Sequence, residues 1–135
     1  MARRDKDKNP YTLNGIRAER LVDVLMKEIT NVRSVKDWAE ESTTPESSLH
    51  RIVKQRYGKT PGNIIKEIRY EKIILLMKKD EEACAYSIAL DSGFSSEAAL
   101  RMFLRRCHGT NIRTLRREIL SGKLRMKWTW LNGSG

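Results

Sequence analysis

The chain is poor in cysteine, proline and aromatic residues, and it has no long apolar run. Its 135 residues include two cysteines and three prolines, and 7% are Phe, Trp or Tyr. No stretch approaches the roughly 20 apolar residues that a membrane-spanning helix needs. The charged N-terminus also lacks the apolar core of a secretory signal. We therefore expect neither a membrane protein nor a secreted one, and the sequence predicts a cytoplasmic protein.

Residues that bind metals or carry out catalysis are also scarce. Cys84 and Cys107 form no CxxC motif, and together with His50 and His108 they do not have metal-ligand spacing. We expect reduced thiols, no metal and no cofactor. Paired carboxylates, a nucleophile–base pair and a phosphate-binding loop are missing from the sequence. The sequence therefore does not predict an enzyme.

Basic residues, in contrast, are abundant and unevenly distributed. Lys and Arg number 27 against 17 Asp and Glu, which gives a formal net charge of +10. Between Arg101 and Lys127 there are nine basic residues and a single acidic one, Glu118. Such a surplus predicts a polyanionic partner, but it does not by itself distinguish DNA from RNA or an acidic membrane surface.

Apolar periodicity and capping residues predict an all-α fold of about seven helices. The first helix has apolar residues three and four apart from Ala18 to Ile29. Ser34 begins a second helix, and Thr44 with Pro45 begins a third that ends at Gly58. Thr60 caps a long helix that runs from Pro61 to about Lys79. Three shorter helices follow, over about 83–92, 96–108 and 112–120.

The second and third helices resemble the fifth and sixth. Ala39 matches Ala89 fifty residues on, and the run Leu49–Gly58 matches Leu100–Gly109 fifty-one residues on. Each pair is a short helix, a tight turn and a second helix with a basic outer face, which is the helix-turn-helix plan. An α-solenoid fragment is the alternative, but it does not predict basic faces on only the second helix of each pair.

The repeat divides the chain into five segments. We predict a flexible basic arm (1–14), a first helix-turn-helix subdomain (15–60), a linker helix (61–80), a second helix-turn-helix subdomain (81–121) and a C-terminal tail (122–135). Trp128 and Trp130 lie in the tail, where packing against the last helix is expected. Arg69, in the linker helix, is expected to pair with a carboxylate between the subdomains.

The region from about Ser34 to Leu120 resembles the DNA-binding domain of AraC/XylS-type transcription regulators. The resemblance depends on the combined spacing of five runs in the sequence, which are Val35–Ala39, Leu49–Lys54, Gly58–Pro61, Ile68–Arg69 and Ile88–Phe94. It implies a stand-alone regulator that binds double-stranded DNA as a monomer in the cytoplasm, associated with the bacterial nucleoid. Helices at about 45–57 and 96–108 would enter successive major grooves, with RNA polymerase as a second partner.

Three positions depart from the family pattern. Thr43 stands where the family usually has glycine in the first turn, and a β-branched residue resists positive φ, so a rearranged turn is expected. Met102 replaces an arginine that is common on the second recognition helix. Ile112 replaces the proline that usually opens the last helix. These departures change the expected base contacts of the second unit more than they change the expected fold.

The outer faces of the two recognition helices predict the contacts with DNA. Residues near the start of such a helix reach base edges, whereas later basic residues more often reach phosphates. The predicted base-reading residues are Ser47, Ser48, His50, Arg51, Ala98, Arg101 and Met102. The predicted phosphate-binding residues are Lys54, Thr60, Arg105, Arg106, Asn111, Arg113 and Arg116.

Two other functions remain open from the sequence. A basic helical RNA-binding protein is one, although RNA sequence readers usually stack bases on exposed aromatic residues and the predicted outer faces carry none. An adaptor that binds polymerase on the same fold without reading DNA is the other. Gel shifts with duplex DNA, matched RNA and polymerase subunits would separate the three.

Overall fold

A computed structural model describes residues 13–128, and in that range the chain forms seven α-helices and no strand. This confirms the expected all-α fold. The predicted arm, apart from its last two residues, and Trp130 lie outside the described residues. The helices are α1 (Leu13–Lys27), α2 (Val35–Glu41), α3 (Glu46–Tyr57), α4 (Pro61–Lys79), α5 (Ala85–Asp91), α6 (Glu97–His108) and α7 (Ile112–Leu120).

Side-chain caps set the starts of most of these helices. Ser34 Oγ accepts a hydrogen bond from the Asp37 amide at 3.2 Å at the start of α2. Equivalent bonds are accepted by Thr60 for α4, by Ser96 for α6 and by Asn111 for α7, at 3.3, 3.1 and 2.8 Å. Each cap satisfies an amide that the first turn of a helix leaves without an internal partner.

One predicted cap is wrong. Thr44 does not cap α3, because its hydroxyl donates instead to the Ser42 carbonyl at 3.0 Å, within the preceding turn. Pro45 occupies the N-cap position, and no described side chain caps the helix, which begins at Glu46. The short helix α5 also starts later than expected, at Ala85, where the Cys84 thiol accepts from the Ser87 amide at 3.5 Å.

The chain divides into two compact units, Met1–Ile65 and Lys66–Gly135, so that α4 supplies residues to both. In the first unit, α1, α2 and α3 surround a buried apolar core, and the Trp38 indole donates to the Leu21 carbonyl at 2.8 Å. The largest fully buried side chains of this core are Leu25, Ile29, Trp38, Leu49 and Ile64. The hydrogen bond satisfies the one polar atom that the Trp38 ring carries into the core.

The second unit has its own core, contributed by α4, α5, α6 and α7. Its buried members are Ile73, Ile74, Met77, Ile88, Ala89, Leu100, Leu104, Ile112 and Leu115. Arg69 is only 9% exposed, and its guanidinium lies over the Phe94 ring, 5.5 Å from the centroid. Arg69 thus packs within this unit, where a cation–π contact favours its charge.

The segment after α7 is hydrogen-bonded to α4. The Glu71 carboxylate accepts from the amides of Lys127 and Trp128 at 2.7 and 3.1 Å. The Trp128 indole also donates to Glu67 at 3.2 Å. These hydrogen bonds place Trp128 beside the long helix, and its expected packing against the last helix stays a prediction. Two buried or half-buried carboxylates of α4 thereby gain N–H donors.

Candidate nucleic-acid interface

The two helix-turn-helix units share one turn geometry. In the first unit the amides of Thr43 and Thr44 donate to the carbonyls of Glu40 and Ala39, at 3.1 and 3.0 Å. Fifty residues on, the amides of Gly93 and Phe94 donate to the carbonyls of Leu90 and Ala89, at 3.2 and 2.8 Å. The same bonds therefore close the turn that follows the first helix of each unit.

Thr43 adopts the conformation that its side chain disfavours. Its φ is +50°, in the left-handed region, where the matching Gly93 has φ +93°. The expected rearrangement of the first turn is wrong, because the hydrogen bonds of the turn and the packing of the two helices hold the backbone in place. A left-handed non-glycine residue costs about 1–2 kcal/mol, which the surrounding structure must supply.

The helix α3 presents a polar face opposite its buried one. Leu49, Ile52 and Val53 are buried in the first core. The predicted base-reading residues of this unit lie on the outer side, with Ser47, His50 and Arg51 exposed and Ser48 half-buried. Lys54, predicted to bind phosphate, is exposed as well. The helix ends at Gly58, whose φ of +70° provides a left-handed C-cap.

The helix α6 has the same division but a different outer chemistry. Leu100 and Leu104 are buried and Phe103 is half-buried. Ala98, Arg101 and Met102 are exposed, and Met102 shows 42% of its surface. Arg101 forms an ion pair with Glu97 at 2.9 Å, so its guanidinium already has a partner within the helix. At the positions that match Ser47, His50 and Arg51 of α3, the exposed surface of α6 is therefore more apolar.

Most of the predicted phosphate-binding arginines are exposed. Arg105 and Arg106 lie on the last turn of α6, and Arg113 lies on the first turn of α7. Arg116 is different, because it is half-buried and its guanidinium donates to the backbone carbonyls of Glu81 and Ala83. These bonds connect α7 to the segment before α5. They give Arg116 a role inside the second unit, which the sequence pattern did not indicate.

His108 lies inward, away from the exposed basic residues of α6. Its ring stacks on Tyr70 with centroids 3.8 Å apart and meets the Phe103 ring edge-on at 5.1 Å. Burial lowers the pKa of His108, while a backbone hydrogen bond to Lys66 and the charge of Glu67 act in the opposite direction. The sequence signal that was available is the match of His108 to Tyr57 in the repeat, which marks an aromatic position before each glycine cap.

A groove beside α3 brings together residues that sequence reasoning missed. It has a volume of about 370 Å³ and is lined from α1 by Arg17, Arg20 and Val24, and from α3 by Ser48 and Arg51. The sequence pattern predicted no role for Arg17 or Arg20. Their spacing from Leu21 and Val24 was the available signal, since residues three and four apart on a helix are neighbours.

The described residues contain no cluster of three or more His, Cys, Asp or Glu side chains arranged to hold a metal. Cys84 and Cys107 are both exposed and unpaired with each other. Within residues 13–128, no helix is long and apolar enough to cross a membrane.

Comparisons with known proteins agree with this architecture. A family model described as a helix-turn-helix domain, of the AraC type, matches residues 38–118, which is more than half of the chain. A solved structure from Chromobacterium violaceum, titled as a transcriptional regulator among AraC-type DNA-binding domain-containing proteins, superposes with a TM-score of 0.63. It is 21% identical, and the match covers 76% of this chain and 91% of that one. No curated protein matches.

The family match covers most of α2, all of α3 to α6 and most of α7, so it includes both shared turns. The fold comparison independently gives the same architecture. The chain therefore belongs to the AraC-type helix-turn-helix family of DNA-binding transcription regulators.

Proposed function

We propose that this protein binds specific sites on double-stranded DNA by placing α3 and α6 in successive major grooves, and that it regulates transcription from nearby promoters. The observation that supports this most strongly is the duplicated turn, with the same hydrogen bonds fifty residues apart, each followed by a twelve-residue helix with exposed basic side chains. An α-helix of this kind fits the major groove of B-DNA, where each base pair presents a distinct pattern of donors and acceptors.

The two units make unequal contributions in this proposal. On α3, His50 and Arg51 present hydrogen-bond donors, and an arginine can contact guanine O6 and N7 together, which discriminates between bases by roughly 1–3 kcal/mol. On α6, Ala98 and Met102 can contact only apolar groups such as the thymine methyl. Arg101 must break its ion pair with Glu97 before its guanidinium can bind a base. The first unit therefore provides most of the sequence discrimination.

The remaining exposed basic residues provide affinity that does not depend on sequence. Lys54, Arg105, Arg106 and Arg113 neutralise backbone phosphates, and the caps Thr60 and Asn111 begin helices whose first amides can donate to further phosphates. Two reading units in one chain allow a monomer to occupy a complete site. Contact with RNA polymerase is part of the proposal because regulators of this kind act beside promoters.

Selection of binding sites from random duplexes tests the proposal. The protein should enrich a defined motif, and its affinity for that motif should fall by roughly 10³ to 10⁵ between 50 and 200 mM salt if six to ten phosphates are neutralised. An RNA of the same sequence, measured in parallel by fluorescence anisotropy, should bind more weakly. Absence of enrichment, a salt-independent affinity or equal binding of the RNA would each reject duplex DNA as the specific partner.

A further inference from the structure

The groove between α1 and α3 is strongly cationic. The side chains of Arg17, Arg20 and Arg51 line it with three positive charges, against one negative charge from Glu41. Arg17, Arg20 and Arg51 are exposed. Among the described residues, no hydrogen bond or ion pair reaches any of the three guanidiniums, whereas Arg56 of the same unit pairs with Glu19 at 3.1 Å. The three guanidiniums thus have N–H donors that no described protein acceptor uses.

The start of α3 adds further donors to the same groove. Pro45 and Ser48 lie in its wall, and no described side chain caps α3. The first amides of this twelve-residue helix are therefore left for an external acceptor. The positive end of the helix dipole at this point also favours an anion.

The position of Arg51 relates the groove to DNA. Arg51 lies on the outer face of α3 and also in the groove wall, so the groove borders the surface proposed to enter the major groove. A DNA strand that borders a major groove occupied by α3 would pass beside α1. The polar part of the wall suits a phosphate, and the apolar part, from Val24 and Pro45, suits the deoxyribose next to it.

We propose that the groove between α1 and α3 is a binding site for one backbone phosphodiester of duplex DNA, held by Arg17 and Arg20. The inference depends on the proposed function, because the ligand is the DNA that α3 reads. By fixing the strand beside α3, the two arginines set the depth and register at which His50 and Arg51 meet the bases. Arg17 and Arg20 are therefore positioning residues for base recognition as well as phosphate ligands.

The test compares the double variant Arg17→Ala/Arg20→Ala with the matched control Lys27→Ala, an exposed basic residue in the last turn of α1 outside the groove. Binding to the duplex selected by the parent protein is measured by anisotropy over a range of salt. The double variant should bind at least about tenfold more weakly, because one phosphate loses its charged hydrogen bonds, and a tenfold loss corresponds to about 1.4 kcal/mol. Its slope against the logarithm of salt should fall by about one. Lys27→Ala should behave like the parent.

A neutral-backbone scan locates the phosphate. Replacing single phosphates of the duplex with methylphosphonates should weaken parent binding at one position beside the α3 half-site, and the double variant should be insensitive at that same position. Unfolding curves confirm that the variants are folded. Identical scans for parent and double variant overturn the groove proposal while leaving DNA binding intact. If the parent itself binds no duplex, the proposed function fails instead.

An experiment with inorganic phosphate tests whether the ligand of the groove is a free anion rather than a DNA phosphate. If millimolar phosphate raises the melting temperature of the parent but not of the double variant, while both bind DNA equally, the groove holds a free anion and the DNA proposal is wrong. Glu41→Gln is a further check, because removing the one negative charge of the groove should strengthen DNA binding about two- to threefold, as expected for a weak exposed charge interaction. Unchanged or weaker binding of Glu41→Gln would contradict a phosphate beside it.

Discussion

At the scale of single residues, Arg51 and Arg105 represent the two kinds of contact that the proposal assigns. Both are exposed arginines on recognition helices, Arg51 in the second turn of α3 and Arg105 in the last turn of α6. Arg51→Ala should cost about 1–3 kcal/mol on the selected site and relax the base preference at one position. Arg105→Ala should weaken all sequences about equally and lower the salt slope by about one. Repeating the site selection with each variant checks this assignment, and a changed base preference in Arg105→Ala would contradict it.

Replacing Thr43 with glycine is expected to stabilise the protein. Because Thr43 is held at φ +50°, glycine removes a conformational cost of about 1–2 kcal/mol while adding some unfolded-state entropy, for a net gain of roughly 0.5–1 kcal/mol. Thermal or urea unfolding of Thr43→Gly measures the change. The converse substitution, Gly93→Thr, places a β-branched residue at φ +93° and should destabilise the second unit. If Thr43→Gly is neutral or destabilising, the turn is not strained.

The half-buried His108 is expected to make the free energy of unfolding depend on pH. Its pKa is lowered in the folded protein, first by burial, so the folded state binds its proton less readily than the unfolded state does. The stabilising contribution is therefore fully present above the ordinary pKa of about 6.5, and it is lost as pH falls below that value. The melting temperature should drop between pH 7 and pH 5 by more in the parent than in His108→Gln.

The chain has one other histidine, His50, which is exposed on α3. The variant His50→Gln is therefore the matched control, and it should keep the pH dependence of the parent. An equal pH dependence in parent and His108→Gln would show that other groups cause it.

At the scale of helices, Arg116 and Arg113 lie on the same helix, α7, and have different environments. The guanidinium of Arg116 donates to two backbone carbonyls before α5, whereas Arg113 is exposed. Arg116→Ala should lower the free energy of unfolding by about 1–3 kcal/mol, because two carbonyls lose a charged donor. Arg113→Ala should leave stability unchanged and weaken DNA binding with a smaller salt slope. Urea unfolding and anisotropy on both variants separate the two roles. A loss of stability in Arg113→Ala, with weaker DNA binding only in Arg116→Ala, would contradict this assignment.

The helices themselves could be predicted because their signals are local. The start of α6 follows from Ser96 and its end from Gly109, each acting within one turn of the helix. The start of α3 was misplaced because Thr44 had two local partners to choose from. A hydroxyl before a helix can cap it or bond back to its own turn, and only the folded turn decides which.

The roles of particular arginines could not be predicted, because they depend on distant segments. Arg116 meets carbonyls 33 and 35 residues away, and Arg17 lines a groove with Arg51. An exposed basic residue and one that binds the backbone look alike in a helical pattern. Sequence reasoning therefore identified the outer face of α3, which follows from its period, and missed the arginines that α1 brings beside it.

At the scale of the whole molecule, the central claim is that two units on one chain read one DNA site. The two units are built alike, but their outer faces differ, since α3 has His50 and Arg51 where α6 has an ion-paired Arg101 and Met102. A monomer with two unlike readers requires an asymmetric site, with a well-defined half for α3 and a degenerate half for α6. A symmetric pair of identical halves would be the result for a dimer instead.

The spacing of the two half-sites provides the most direct measurement. Inserting about five base pairs between the halves of the selected site rotates one half to the opposite face of the DNA, since B-DNA turns once in about 10.5 base pairs. The account predicts that anisotropy titrations with this duplex will show the affinity falling to that of the α3 half-site alone. Unchanged affinity for the duplex with the insertion would contradict simultaneous reading of successive major grooves by α3 and α6.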